Sequence, residues 1–514
     1  MKKINIYSIV LSLLVFTGCE LDVDPHTFVS DQNYYKTEAQ IITAVNGVYS
    51  GLQRIYSGTD TQGAIYMLTE LRSDNSDYHY YNLDRGIQQR EDISDFLMHS
   101  ASVYNQYVWT ELYNTIQQAN KVIGSVGTAE FQDEKLRTRS EGEARFIRAF
   151  LYFHLVRLYG EVPLRLEATT GPGDAFTPVK ATVDEIYAQI KEDVKFAIEN
   201  LEVSYTGTNV GRATKGAALT LEGEVYLTLK DYQQAITSFE AVSKLGYELM
   251  DSYEDIFSPN HKNNIESIFE IQYSASVEGE HSNYIFAWGP RYSRLELTGF
   301  TGDLAGTNTP TVDLYKAYEE GDIRRDATIA FFVDPRNRAF QESLGAGLSV
   351  IGDSLMFVNK FYHKGSYTVN GRANENWPVY RYAYLKLMLA DALNEAGKSS
   401  EALIHVNDIR KRAGLDAVST TSQGELREII FKETRLEVAM ENHRWYQLLR
   451  TGRAKQVMTD YGKFEKARLK VAADILGEVC HLIDASFDIQ DYKLLYPLPE
   501  RECRLNGFKN NPGW

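Results

Sequence analysis

The chain has 514 residues, 43% of them hydrophobic, with 54 basic against 70 acidic side chains and a formal net charge of −16. That content supports a sizeable buried core and argues against disorder, while the acidic balance opposes phosphate-rich partners and disfavours nucleic acid. Aromatic residues make up 12%, including 34 tyrosines, more rings than a helical core needs, so some are available for ligand contact.

Lys2 and Lys3 precede an apolar run from Ile4 to Phe16. The run is too short to span a bilayer and has the length of an export-signal core. Thr17-Gly18-Cys19 closes it and resembles the lipobox of bacterial lipoproteins, with Phe16 where Leu is usual. This gives a lipoprotein signal over 1–18 and a tether over 19–36, lipid-anchored through Cys19; acyl chains on one residue supply enough buried CH₂ to hold a large body at a membrane. Glu20, Asp22 and Asp24 resemble the surface-export signal of Bacteroidetes lipoproteins. The sequence leaves open whether Cys480 and Cys503 pair, because it does not place their Cα atoms.

Thr37-Glu38-Ala39-Gln40 predicts a helix start, with Ile42, Val45 and Val48 inward and an end near Gly51. Residues 69–95 then break periodicity and combine Asp74, Asp77 and Asp84 with Tyr78, His79, Tyr80 and Tyr81. A solvated surface loop is expected there, its acids open to sugar hydroxyls, to Ca²⁺ or to water alone. A helix follows over roughly 102–123. The organising element is 141–159, where Ala144, Ile147, Leu151, Leu155 and Leu158 form one stripe and Phe146, Phe150, Tyr152 and Phe153 an aromatic flank. Such a helix must lie among other helices, and Gly160 with Pro163 gives it an explicit stop. Its Arg145, Arg148 and Arg157 read as ion pairs to neighbouring helices, and His154 as a satisfied buried histidine.

After an amphipathic helix over 183–201, residues 217–242 place Gly223, Tyr226, Ala235 and Phe239 at tetratricopeptide offsets, with Asp231-Tyr232 at the turn. Residues 380–415 repeat the pattern with Ala390, Leu393, Ala402 and Val406 around a turn at Gly397. The fold class is therefore mainly α, with tetratricopeptide-like helix pairs forming a single large helical body and a loop-rich insert containing short strands. The parts are 37–249, an N-terminal helical part; 250–379, the insert; and 380–514, a C-terminal helical part. Within the insert, 266–272 and 354–360 alternate like strands. Tyr284, Phe286, Trp288 and Tyr292 surround Gly289-Pro290, a turn suited to displaying aromatic faces. The candidate ring-stacking residues are Tyr78, Tyr80, Tyr81, Trp288 and Tyr292; the competing reading packs these rings between loop and body.

Catalytic signatures are missing. The chain carries no His-Glu-x-x-His, no Gly-x-x-x-x-Gly-Lys-Ser/Thr and no Gly-x-Ser-x-Gly, so no catalytic residue, cofactor or metal is assigned. Glu437 and Glu441 lie four apart on a predicted helix, with Arg435 and Arg444 near enough to neutralise them. That arrangement reads as a structural ion network rather than a working acid pair.

The C-terminal third carries a family resemblance. Residues 380–383 (YRYA), 389–397 (LADALNEAG), 406–415 (VNDIRKRAGL), 425–450 with RWYQLLR at its end, 495–499 (LYPLP) and 511–514 (NPGW) resemble successive motifs of the SusD/RagB family. The organising helix, 160–164 and 46–49 (NGVY) match that family's N-terminal pattern. Departures are Glu433-Thr434-Arg435 in place of Glu-Arg-Arg, Asn442 where Gly is common, and the final Trp514 in place of Tyr. The resemblance implies a lipoprotein on the extracellular face of the outer membrane. It would pair with a SusC-like TonB-dependent transporter and capture oligosaccharide, or peptide as some members do, without breaking bonds. A surface glycoside hydrolase and a helix-repeat adhesin are the alternatives from other classes.

Overall fold

The computed structural model describes residues 34–58, 64–78, 88–169, 171, 179–291, 293–333, 350–351, 354–476 and 480–514. The signal, Cys19 and most of the tether lie outside the described residues, as do His79, Tyr80, Tyr81, Asp84 and Tyr292.

Helix α1 (Glu38–Ile55) opens with a capping box, in which the Thr37 hydroxyl accepts from the Gln40 N–H and the Gln40 side chain accepts from the Thr37 N–H. It continues past Gly51, the expected stop. A Cβ at Gly51 would lie 2.4 Å from the Thr115 Oγ1 of α2 (Val103–Val126), so this glycine permits close helix crossing and ends nothing. The organising helix α3 (Glu134–Tyr159) begins about two turns before the expected start at residue 141. Asp133 caps that extension, accepting from the Lys135 N–H at 2.9 Å, and its polar turns lie outside the core where hydrophobic periodicity could not mark them. Gly160 ends the helix at φ 72°.

The stripe and flank of α3 are buried throughout. Arg148 clasps Asp193 of α4 (Val183–Asn200) with Nε and Nη2, each at 2.8 Å, and Arg157 reaches Glu224 of α5 (Lys215–Thr228) at 2.9 Å. His154 sits between the hydroxyls of Tyr56 and Tyr446 at 2.9 and 2.7 Å. Burial, reinforced by Arg157, holds its pKa well below the usual histidine range, so it stays neutral.

Both expected helix pairs form. In the first, α5 packs on α6 (Tyr232–Ser243), and Gly223 admits the Phe239 ring, which a Cβ would approach to 2.4 Å. In the second, α7 (Tyr382–Glu395) packs on α8 (Ser399–Arg412) across Gly397 at φ 79°. Helix α7 also packs on α6, so the two copies, distant in sequence, build one stack. Helices α9 (Gln423–Glu437), α10 (Arg444–Arg450), α11 (Ala454–Leu476) and α12 (Glu500–Asn506) complete the C-terminal part.

The strands are short: β1 (Ser76–Asp77), β2 (Ser267–Ile271), β3 (Thr309–Pro310), β4 (Ile329–Phe332), β5 (Val350–Ile351), β6 (Ser354–Val358) and β7 (Trp377–Arg381). All pair antiparallel, β1 with β3, β2 with β7, and β6 with both β4 and β5. The β2–β7 ribbon feeds directly into α7 and so mounts the insert on the helix stack. Cys480 and Cys503 are free thiols, both half-buried. Among the described residues, no helix is long and apolar enough to cross a membrane.

Candidate functional site

The first part of the tyrosine-rich stretch, 69–78, is buried rather than solvated. Its polar side chains go inside because each finds dedicated partners there. Glu70 accepts from the Asn75 amide at 3.0 Å and from the backbone N–H groups of Met440 and Asn442 at 2.9 Å each. Those two residues follow α9 with φ of 67° and 70°, and the turn they make presents N–H groups that need an acceptor. The sequence carried a signal for this: Asn442 stands where the family favours Gly, the residue of left-handed turns. Arg72 donates to the carbonyls of Ile93 and Lys493 at 2.8 and 3.1 Å while its guanidinium lies 3.7 Å from the Phe96 ring centroid. These contacts make a rigid ledge.

The ledge is stitched to the insert along β1 and β3. The hydroxyls of Thr309 and Thr311 donate to the carbonyls of Asp77 and Asp74 at 2.9 and 2.7 Å, Tyr66 donates to Thr307 at 2.9 Å, and Ser76 hydrogen-bonds Asn308. Trp288, next to Gly289-Pro290, places its ring 5.2 Å from that of Tyr66. The two stretches nominated separately, more than 200 residues apart in the sequence, therefore meet at one junction.

The junction corrects two candidate residues. Tyr78 and Trp288 are each only 2% exposed. Trp288 packs against Tyr284, Phe361 and Trp377 with ring centroids 5.0, 5.8 and 5.9 Å away. Tyr78 accepts from Arg90 at 3.4 Å, and Arg90 also donates to Tyr104 at 2.8 Å. Neither ring has a face open to a ligand. The short helix Tyr284–Trp288 buries Tyr284, Ile285, Phe286 and Trp288 together, so the turn after it anchors the insert instead of displaying those rings. Tyr80, Tyr81 and Tyr292, the other candidates, lie outside the described residues.

The acids follow the same pattern. Asp74 is held by Arg444 and Arg435, which pull its pKa down to about 2 against the cost of burial. Asp77 accepts from the Tyr78 N–H at 2.7 Å, and burial, with Glu465 nearby, pushes its pKa up to about 7. Burial also raises Asp95, with Asp77 and Glu91 adding repulsion.

Glu437 and Glu441 form an ion network with partners other than those expected. Helix α9 ends at Glu437, and Glu441 lies in the turn beyond it. Arg381 bonds Glu437, Glu441 at 2.8 Å and Glu266 at 3.0 Å; Arg324 reaches Glu437 at 3.3 Å, and Lys360 reaches Glu441 at 2.6 Å. Arg435 and Arg444 serve Asp74 instead. Against the cost of burial, Arg412, Arg381 and Arg324 hold Glu437, and Arg381 and Lys360 hold Glu441, below the usual carboxylate range, so neither keeps a proton to donate near neutral pH.

Comparison with known proteins agrees with this architecture. Residues 265–514 match the SusD family, and residues 21–227 match a family described as starch-binding associating with outer membrane. A SusD-like protein of Formosa agariphila is 28% identical over 100% of both chains. Among solved structures, a laminarin binding SusD-like protein is 26% identical with a TM-score of 0.74, covering 93% of this chain and 100% of its own. A SusD-like protein from Bacteroides fragilis is 27% identical with a TM-score of 0.72, over 94% and 99% of the two chains.

Proposed function

The chain belongs to the SusD-like family of outer-membrane glycan-binding proteins, and from that premise we propose that it is a non-catalytic lipoprotein of the cell surface, anchored through Cys19. It captures oligosaccharides and delivers them to a SusC-like TonB-dependent transporter. The observation that most supports this reading is the β1–β3 junction, where the tyrosine-rich stretch and the insert are fixed to one rigid ledge. Ligand groups carried on a rigid support lose little entropy on binding. In this reading Tyr80, Tyr81 and Tyr292 supply the stacking faces, and the buried Tyr78 and Trp288 belong to the supporting frame. Similarity to a protein named for laminarin binding favours a glycan over a peptide.

Calorimetric titration of the chain lacking residues 1–19 tests the proposal, with laminari-oligosaccharides first, then other oligosaccharides and a peptide panel. Saccharide heat that weakens in Tyr80→Ala supports it. Heat from peptides alone would replace the glycan reading with a peptide one, and release of reducing ends from any glycan would overturn the non-catalytic part. Co-purification of the full chain with a TonB-dependent barrel tests the delivery step.

A further inference from the structure

Ile42, Asn46, Tyr49, Ser50 and Gln53 recur at helical spacing along α1 and line a groove of two lobes. One lobe, about 360 Å³, lies between α1, the turn at Gly207–Asn209 and β2; the other, about 520 Å³, lies between α1, the same turn and the start of α3. Asn46, Thr208 and Arg212 line both, so the lobes meet at those three residues. We propose that this groove is a second glycan site, one that takes a segment of a neutral oligosaccharide longer than a single ring. It rests on the glycan-binding reading and adds a surface whose walls include neither Tyr78 nor Trp288.

Shape and preset walls come first. Each lobe falls in the range of about 300–1,000 Å³ typical of small-molecule sites, and the stretch of α1 from Ile42 to Gln53 is roughly 16 Å long, so the ligand is elongated. Arg212 fixes the saddle between the lobes: its guanidinium donates to Asn209, Glu143 and Asn46 at 2.9, 2.8 and 2.7 Å. The Tyr49 hydroxyl accepts from the Ala213 N–H at 2.8 Å, and the Gln53 amide donates to the Gln272 carbonyl at 2.8 Å, which ties α1 to both other walls of the first lobe. A groove held this way loses little entropy when it is filled.

The groups left over are accessible and uncharged in effect. Asn46 and Thr208 are exposed and Ser50 is half-buried. The hydroxyls of Ser50 and Thr208 have no hydrogen-bond partner among the described residues, and Asn46, whose oxygen is fixed by Arg212, keeps its amide N–H groups to donate. Hydroxyls and an amide together supply both donors and acceptors, as neighbouring sugar hydroxyls require. The cations of the groove already have counter-charges: Lys135 pairs with Glu202 at 2.6 Å, and Arg139 and Arg212 face Glu143 at 3.2 and 2.8 Å. That disfavours an acidic glycan. Strand addition by a peptide is also disfavoured, because the carbonyls of Glu270 and Gln272 on β2 and just beyond it are taken by the amides of Gln272 and Gln53 at 3.0 and 2.8 Å.

The test is hydrogen–deuterium exchange of the whole chain, read by mass spectrometry, with laminaritriose, maltotriose, cellotriose and mannotriose as probes. Peptides covering 205–213 should gain protection that saturates with a Kd on the order of mM for at least one triose, while a core peptide covering 384–393 stays unchanged. Ser50→Ala and Thr208→Ala break no bond of the frame, so each should weaken that Kd about threefold, and the two together about tenfold, with the melting temperature unchanged. The protection should survive in Tyr80→Ala. No protection of 205–213 by any triose, an unchanged Kd in the Ser50→Ala Thr208→Ala double variant, or protection by a peptide panel in place of the trioses would overturn the proposal. Oligosaccharide heat that persists without protection of 205–213 removes this groove alone; absence of both removes the glycan reading with it.

Discussion

Arg444 clasps Asp74 at two points, Nε to Oδ1 at 2.8 Å and Nη2 to Oδ2 at 2.9 Å, across 370 positions of the chain. Arg435 joins the same carboxylate and also reaches Asp313 of the insert at 2.6 Å. One buried anion therefore ties together the ledge, the C-terminal helices and the insert.

Removing that anion should be costly. Asp74→Asn leaves two buried guanidinium groups without their shared counter-charge, a change worth about 3–5 kcal/mol. The pH dependence has a definite sign. The folded-state pKa, about 2, lies below the usual 3.8, so the stabilisation is present above pH 4 and is lost as pH falls toward 2. The gap in melting temperature between wild type and Asp74→Asn should narrow steadily over that interval; a constant gap would show that the carboxylate charge contributes nothing.

A second group of carboxyls acts in the opposite sense. Burial raises Glu70 to about 6 and Asp77 to about 7, and it raises Asp95 as well. Between pH 4.5 and 7 the folded chain thus holds protons that the unfolded chain has released, and stability should fall as pH rises. Asp77→Asn removes one such group and should flatten the decline in melting temperature from pH 5 to 7.5. A slope as steep as that of wild type would show that Asp77 titrates normally.

The helical body was legible because α3, both helix pairs and the strands at β2 and β6 carry strong periodic or positional signals. Gly397 even marks the second turn by its left-handed φ of 79°. The ledge was not legible. Residues 69–78 are polar, and local composition places polar residues in solvent; their partners Asn442, Arg435 and Arg444 lie hundreds of positions away, where no periodicity connects them. Gly51 misled for a related reason, since a glycine that ends a helix and one that lets another helix approach look identical in sequence.

Two mid-helix glycines, one at a close approach and one facing solvent, test the packing role. Gly223→Ala drives a methyl into the Phe239 ring, 2.4 Å from its nearest atom, and should destabilise the chain by about 1–3 kcal/mol. Gly47 lies on the exposed side of α1 with nothing within 4 Å of a Cβ, so Gly47→Ala should stabilise by about 0.5–1 kcal/mol through helix propensity. Urea denaturation of both variants checks the pair, and equal effects would mean that the helix crossing at Gly223 is looser than its geometry.

The buried and proposed ligand-facing aromatics should separate just as cleanly. Trp288 is enclosed by Tyr66, Tyr284, Phe361 and Trp377, so Trp288→Ala empties a core position and should cost about 3–5 kcal/mol in stability. Any loss of binding in that variant would follow its unfolding and should be restored at lower temperature, where the folded fraction recovers. Tyr80→Ala, under the proposed function, keeps stability within about 0.5 kcal/mol and still loses about tenfold in oligosaccharide affinity, a little over 1 kcal/mol of ring contact. Melting curves and calorimetry on the same two preparations decide the matter. A stable Trp288→Ala variant that binds weakly would return that tryptophan to the ligand site, because a ring that supports nothing can lower affinity only by touching the sugar.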